Sequence, residues 1–312
     1  MTDTLAIGRY AETDATALEQ DFDARMVARL DEIDGLEAER AAIRGVAYIG
    51  GAPFGAAEMD KLPGLTVIAN FGVGYDAIDI AAATARGITV TNTPDVLNDD
   101  VADLAVGMLI ALNRRFEPGA AHVRSGDWAA KGELPLGRKM SGRRIGILGM
   151  GRIGREIADR LAAFKSEIHY QSRSPKDTPA GWTYHEGPVE LASAVDDLVI
   201  AIVGGAATEG LVDADVLNAL GPDGVVVNIA RGSVIDEDAL VAALADGSIR
   251  GAALDVFRGE PRVDERLVKL DKIYPLPHIG SATVETRAAM GALQRRNLRA
   301  GLDGKAVSTP VN

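Results

Sequence analysis

Three short segments late in the chain gather side chains suited to acid–base and carboxylate chemistry: Asn228-Ile-Ala-Arg231-Gly-Ser233, Asp255-Val-Phe-Arg-Gly-Glu260-Pro261 and Leu276-Pro-His278-Ile-Gly-Ser281. A guanidinium presents a two-donor fork that matches a carboxylate, so Arg231 is a candidate anion clamp. Imidazole exchanges a proton near neutrality, which makes His278 a candidate acid or base. It is one of four histidines in the chain, and the one placed at a strand end between Pro277 and a glycine. A neighbouring carboxylate such as Glu260 favours the imidazolium and keeps the acid charged near neutrality. Taken singly, each has a structural explanation: a surface ion pair, a turn residue before proline, a core histidine. Their shared placement at the ends of predicted strands makes them read as one group.

These residues stand behind a glycine fingerprint, Gly146-Ile-Leu-Gly149-Met-Gly151-Arg152-Ile153-Gly154. Ile145, Ile147 and Leu148 read as a buried strand, and Ile153, Ile157 and Leu161 recur as one face of a helix. In such a strand–turn–helix unit the first glycine permits the turn, the second lets backbone approach a pyrophosphate, and the third packs helix against strand. The helix N-terminus then supplies N–H groups and partial positive charge to an anion. A bound dinucleotide follows, with Gly149, Gly151, Arg152, Ile153 and Gly154 at its phosphates.

The next predicted strand ends Tyr170-Gln-Ser172-Arg173-Ser174, where an NAD site usually places a carboxylate for the ribose hydroxyls. An arginine flanked by two hydroxyls suits a 2′-phosphate instead, so NADPH is expected over NADH. An ordinary polar turn with a solvated arginine is the alternative.

The elements that must hold these groups can also be read. Strands are predicted at Val46–Ile49, Val67–Asn70 and Ile88–Thr91 before the fingerprint, and at Ile168–Tyr170, Leu198–Val203, Val225–Ile229 and Ala252–Val256 after it. Helical patterns lie between them, which favours parallel sheets with crossover helices. Asn98, Asp99 and Asp100 open a long helix whose apolar face runs Val101, Leu104, Ala105, Met108, Leu109 and Leu112. This helix is expected to connect two domains. Arg114 to Leu136 is polar and weakly periodic, either an arm on a second subunit or a surface loop, with Trp128 exposed. Thr283–Leu302 reads as one helix.

A chain of 312 residues suits about two domains. A net charge of −12 and a pI near 4.9 argue against a general affinity for nucleic acid. The absence of cysteine excludes disulfides, thiolate chemistry and cysteine metal sites, and no metal is expected. No signal-peptide pattern or membrane-length apolar span is evident, so a soluble cytoplasmic protein is expected.

The chain resembles the D-isomer-specific 2-hydroxyacid dehydrogenases, most of all the NADPH-dependent glyoxylate/hydroxypyruvate reductases and hydroxyphenylpyruvate reductases. The resemblance runs from about Asn70 onward through Asn70-Phe-Gly-Val-Gly-Tyr-Asp76, Thr93-Pro-Asp-Val-Leu97, the fingerprint, Ala230-Arg-Gly-Ser233, Asp255-Val-Phe257 with Glu260-Pro261, and Pro277-His-Ile-Gly-Ser-Ala-Thr283. It implies two Rossmann-like, doubly wound parallel-sheet α/β domains with the active site in the cleft between them. Residues 1–97 and 281–312 would form a flavodoxin-like substrate-binding domain, and 98–280 the NAD(P)-binding domain. Arg231 would hold the substrate carboxylate and carbonyl, His278 would be the acid/base and Glu260 its partner. Val73 and Gly74 would offer N–H groups to the carboxylate, with Ser281 also at the substrate. Ile229, Ala230, Asp255 and Gly280 would complete the coenzyme contacts, Asp255 near the nicotinamide carboxamide. A homodimer is implied. Two departures stand out: Asn98 where relatives often have Thr, and Gly204-Gly205-Ala206-Ala207-Thr208 in place of a proline-rich loop beside the cofactor.

The implied reaction is hydride transfer to a small 2-oxo acid such as hydroxypyruvate or glyoxylate, weakening as pH rises and the imidazolium deprotonates. An aryl pyruvate substrate is the alternative within the same chemistry. A dinucleotide-sensing protein like the transcriptional corepressors is the alternative outside it, disfavoured by the lack of added tails.

Overall fold

Short runs of valine, isoleucine, leucine and alanine form twelve strands, all parallel, in the computed structural model, which describes residues 2–312. The strands divide between two compact units. One comprises the residues up to Leu97 together with Ala282–Asn312, and the other Asn98–Ser281.

The first unit contains β1 (Thr4–Ile7), β2 (Arg25–Val27), β3 (Gly45–Tyr48), β4 (Val67–Asn70) and β5 (Thr89–Thr91), in the order β2-β1-β3-β4-β5. Its helices are α1 (Glu12–Phe22), α2 (Ala56–Asp60) and α3 (Ile80–Ala85), and the C-terminal α12 (Val284–Leu302) returns to it. Every residue of β1, β3 and β4 is buried, as expected of strands covered on both faces.

The second unit begins with α4 (Asn98–Arg114), α5 (Phe116–Arg124) and α6 (Asp127–Lys131). It continues through β6 (Arg144–Leu148), α7 (Arg152–Ala162), β7 (Glu167–Gln171), β8 (Thr183–His185), α8 (Pro188–Ala194) and β9 (Asp197–Ile200). α9 (Ala214–Leu220), β10 (Val225–Asn228), α10 (Glu237–Asp246), β11 (Gly251–Leu254), α11 (Glu265–Val268) and β12 (Ile273–Pro275) complete it. The order β12-β11-β10-β9-β6-β7-β8 reverses between β6 and β9, the switch point beside which a doubly wound sheet binds its ligand. Arg160 of α7 reaches Asp99 (2.7 Å) and Asp103 (2.6 Å) on α4 while pairing with Glu156 (2.7 Å), which fixes the fingerprint helix against its neighbour.

The two parallel-sheet α/β units match the fold read from the sequence. Four strands escaped that reading. β2, β8 and β12 have three residues each, too few for a periodicity, and β12 ends in a proline; β1 has four. The segment from Arg114 to Leu136, read as a loop or arm, contains the helices α5 and α6. Neither buries a residue within the chain, which explains the weak apolar period. Trp128 is 61% exposed.

α12 is tied to the first sheet by a buried amide: Gln294 Nε2 lies 2.8 Å from the Ala69 carbonyl, 3.3 Å from the Tyr48 carbonyl and 3.0 Å from the Tyr10 hydroxyl. Replacing it by leucine leaves these buried acceptors without their donor. Gln294→Leu is therefore expected to destabilise the chain by about 1–3 kcal/mol, read as a lower urea midpoint at unchanged slope; an unaltered midpoint would refute this role.

Candidate active site

The fingerprint glycines have the three properties a dinucleotide demands. Gly149 has φ +105°, and a methyl group there would lie 2.7 Å from the Ala201 backbone at the end of β9. Gly154 meets the Gly149 carbonyl so closely that any side chain would overlap it. Gly151, between them, faces open space, with nothing within 4 Å of the position a Cβ would take. The turn is thus tight where chain meets chain and bare where a pyrophosphate must approach. Gly151 is also the N-cap of α7 and provides no side-chain cap, with Arg152 and Ile153 in the first turn. The residues present fit a dinucleotide.

At the end of β7, Gly149 N donates to the Gln171 carbonyl (3.0 Å), which joins the fingerprint to the adjoining turn. Ser172 is buried and its hydroxyl donates to the Ser174 carbonyl at 2.7 Å. Of the two hydroxyls expected beside Arg173, this one is engaged in shaping the turn. Arg173 and Ser174 are exposed, and no acidic partner of Arg173 occurs among the described residues.

The loops after β10, β11 and β12 converge. His278 Nδ1 lies 2.7 Å from Glu260 Oε2, while Glu260 Oε1 accepts from Phe257 N at 2.8 Å. Both carboxylate oxygens are therefore held, which fixes the imidazole plane and leaves Nε2 as the outward nitrogen. Burial opposes the charge on Glu260, but the His278 bond and charge, the Phe257 N–H and the nearby Arg231 outweigh it, holding its carboxyl below the ordinary value.

His278 has φ +54°, a left-handed conformation uncommon outside glycine. Such a residue costs on the order of 1–3 kcal/mol and persists only where its surroundings over-determine it. Asp255, 1% exposed, supplies that constraint: Ile279 N donates to Oδ1 (2.7 Å) and Gly280 N to Oδ2 (2.8 Å). Burial raises the Asp255 pKa, partly offset by these two N–H groups and by His278. Both its oxygens thus grip the backbone after His278, a role beyond the nicotinamide carboxamide contact expected from the sequence. Ser281, in the turn that follows, is half-buried.

Arg231 follows the buried Ile229 and Ala230, and its Nη1 donates to the Ala230 carbonyl at 2.7 Å. A side chain at Gly232 would overlap the Phe257–Arg258 peptide, so the bare glycine lets the β10 and β11 loops touch backbone to backbone. Gly204, from the loop that departs from the family pattern, packs on the Arg231 stem; a methyl there would stand 2.5 Å from Cγ.

Sequence reasoning missed the roles of three asparagines. Asn228, wholly buried, accepts from Ala230 N (3.0 Å) and donates to the Arg231 carbonyl (2.9 Å). In the first unit Asn70 donates to the carbonyls of Gly72 (3.2 Å) and Gly74 (2.9 Å), and Asn92 to that of Val73 (2.9 Å). This pins the carbonyl side of the loop that holds Val73 and Gly74. The available signal was an asparagine closing a fully apolar strand, Val-Ile-Ala-Asn70 and Val-Val-Val-Asn228. Among the described residues no cluster of His, Asp and Glu could hold a metal ion, and no helix is long and apolar enough to cross a membrane.

Fold and site together define a nicotinamide-dinucleotide oxidoreductase with a carboxylate-braced histidine. The chain belongs to the D-isomer specific 2-hydroxyacid dehydrogenases: residues 106–280 match the NAD binding domain of that family. It is 43% identical over 302 residues to the hydroxyphenylpyruvate reductase of Plectranthus scutellarioides, covering 95% of this chain and 96% of the relative. It is 46% identical over 276 residues to a glyoxylate/hydroxypyruvate reductase of Arabidopsis thaliana, covering 88% of each. The crystal structure of the NADPH-dependent glyoxylate/hydroxypyruvate reductase of Sinorhizobium meliloti, in complex with NADP and malonate, superposes with a TM-score of 0.94 at 42% identity, covering 100% of this chain and 97% of that one.

The Gly204 contact has a measurable consequence. Gly204→Ala should push the Arg231 stem aside, and misplacement by about 1 Å costs on the order of 10²-fold in rate. The expected result is a fall in kcat/KM of at least about tenfold with the melting temperature within a few degrees of wild type. Wild-type kcat/KM in this variant would show that Arg231 needs no such support.

Proposed function

We propose that this protein reduces small 2-oxo acids, hydroxypyruvate and glyoxylate, to D-2-hydroxy acids, with NADPH preferred over NADH. The observation that carries this reading is the 2.7 Å contact between His278 Nδ1 and Glu260 Oε2 on loops that also bring in Arg231. With one ring nitrogen committed to Glu260, the imidazolium proton on Nε2 is the one to give to the substrate carbonyl oxygen. The reduced coenzyme, when bound, supplies hydride to the carbonyl carbon. His278 then delivers its Nε2 proton as negative charge develops on the oxygen, and Arg231 steadies both that oxygen and the carboxylate. Val73 and Gly74 are assigned to the carboxylate through their N–H groups, a role supported by the pinned carbonyls of their loop.

Because the Glu260 pKa lies below its ordinary value, the stability this carboxylate contributes is present above that value and is lost as pH falls through the folded-state pKa. Glu260 thus stays ionised across the neutral range.

NADPH preference is supported by the exposed Arg173 at the β7 end, where a carboxylate would otherwise stand. A homodimer is supported by apolar side chains on the segment after α4: Phe116, Val123, Trp128 and Leu136 are 55%, 60%, 61% and 94% exposed. The aryl pyruvate reading rests on the hydroxyphenylpyruvate reductase relative and shares every group that handles the 2-oxo acid head.

The deciding assay follows NADPH absorbance with hydroxypyruvate, glyoxylate and hydroxyphenylpyruvate side by side. The highest kcat/KM on the first two is expected, and a clear preference for the third would transfer the assignment to aryl pyruvates. His278→Ala should lower kcat by two to three decades, about 3–4 kcal/mol of lost stabilisation. Retention of full kcat at neutral pH would refute the acid role. Glu260→Gln should lower kcat/KM for hydroxypyruvate reduction, since His278 Nδ1 loses the carboxylate that orients its ring; an unchanged value would disconnect the two residues. Arg173→Ala should shrink the NADPH/NADH ratio of kcat/KM by roughly 10- to 150-fold, as expected for one charge-assisted contact.

A further inference from the structure

The turn that carries Arg173 has neither helix nor strand from Ser172 to Trp182, and contains Pro175, Pro179 and Gly181. Left to itself, such a segment would have to be ordered by the ligand, at a cost in affinity. Its conformation is nevertheless held from three sides. Tyr170, on β7, accepts at its hydroxyl from Lys176 N (3.0 Å) and sits 3.3 Å from the Lys176 carbonyl, so the turn doubles back onto the strand it left. Tyr184, on β8, donates to the Ser172 carbonyl at 3.3 Å. The third hold comes from the fingerprint helix. Arg155 Nη1 donates to the Asp177 carbonyl at 3.1 Å, and its guanidinium carbon lies 5.0 Å from the centre of the Trp182 ring. Asp159, one helical turn on, fixes that guanidinium through Nε at 3.0 Å.

We propose that Arg155 and Trp182 form a clamp that presets the Arg173 turn for the coenzyme 2′-phosphate, making them positioning residues for coenzyme choice. The proposal rests on the assignment of Arg173 to that phosphate. Arg155 bridges two parts of one site: its helix N-terminus faces the pyrophosphate, and its side chain sets the turn that closes on the ribose. The clamp acts only through the turn, so it should affect ligands that carry the 2′-phosphate and spare those that lack it.

Calorimetric titration of the full chain with 2′,5′-ADP and with 5′-AMP separates these contributions without any turnover. Arg155→Met, which keeps the stem and removes the guanidinium, should weaken 2′,5′-ADP about three- to tenfold and leave 5′-AMP unchanged, in line with one cation–π contact and one hydrogen bond. Trp182→Leu should behave alike, while Trp182→Phe, which keeps an aromatic face, should bind 2′,5′-ADP nearly as wild type does. Retained 5′-AMP binding also shows that each variant is folded. Equal weakening of both ligands, or no weakening of either, would overturn the clamp. Arg173→Ala is the reference: if it abolishes the preference for 2′,5′-ADP while Arg155→Met does not, the coenzyme assignment stands and the clamp alone falls. A wild-type chain with no preference for 2′,5′-ADP, or Arg173→Ala without effect, would remove both.

Discussion

The placement of His278 depends on a buried carboxylate. Asp255 offers one oxygen to each of two successive backbone N–H groups, those of Ile279 and Gly280, and so fixes the chain immediately after His278. That grip is what sustains the left-handed backbone at His278 and turns its ring toward Glu260. An aspartate in so apolar a position is unfavourable unless its charge is answered by hydrogen bonds, and here it is answered by the backbone it positions.

The other recurring device is the bare glycine at a loop crossing. Gly149 and Gly232 each lie where a Cβ would overlap another chain segment, and Gly204 where it would press on Arg231. These contacts bring loops from separate strands within reach of one another, whereas Gly151 keeps space open. The same residue type thus has two opposite uses within one unit. Asn70 and Asn228 add a third element, each closing a buried strand and organising the loop that follows with its side-chain amide.

Much of this was legible in the residues. The parallel α/β architecture followed from apolar runs alternating with helical periods, and the fingerprint announced its own strand and helix. Glu260 and His278, 18 positions apart, were paired from chemistry alone and are bonded. What stayed hidden has physical causes. Three-residue strands carry no period, and α5 and α6 lack a buried face within the chain, so neither pattern rose above a loop. Asp255 was aimed at the coenzyme because its chemistry suits that contact. Its bonds to the Ile279 and Gly280 N–H groups went unread, because a sequence does not distinguish backbone N–H groups from one residue to the next. The bond from the Ser172 hydroxyl to the Ser174 carbonyl, which closes the turn, was likewise unread.

The two-point anchoring of Glu260 has one more consequence. A carboxylate tied to Phe257 N on one side and to the imidazole on the other is not free to swing and carry a proton onward into the protein. His278, its side chain 49% exposed, therefore exchanges any proton with solvent rather than through Glu260. The imidazole's proton traffic is confined to its outward nitrogen, with no internal wire to maintain.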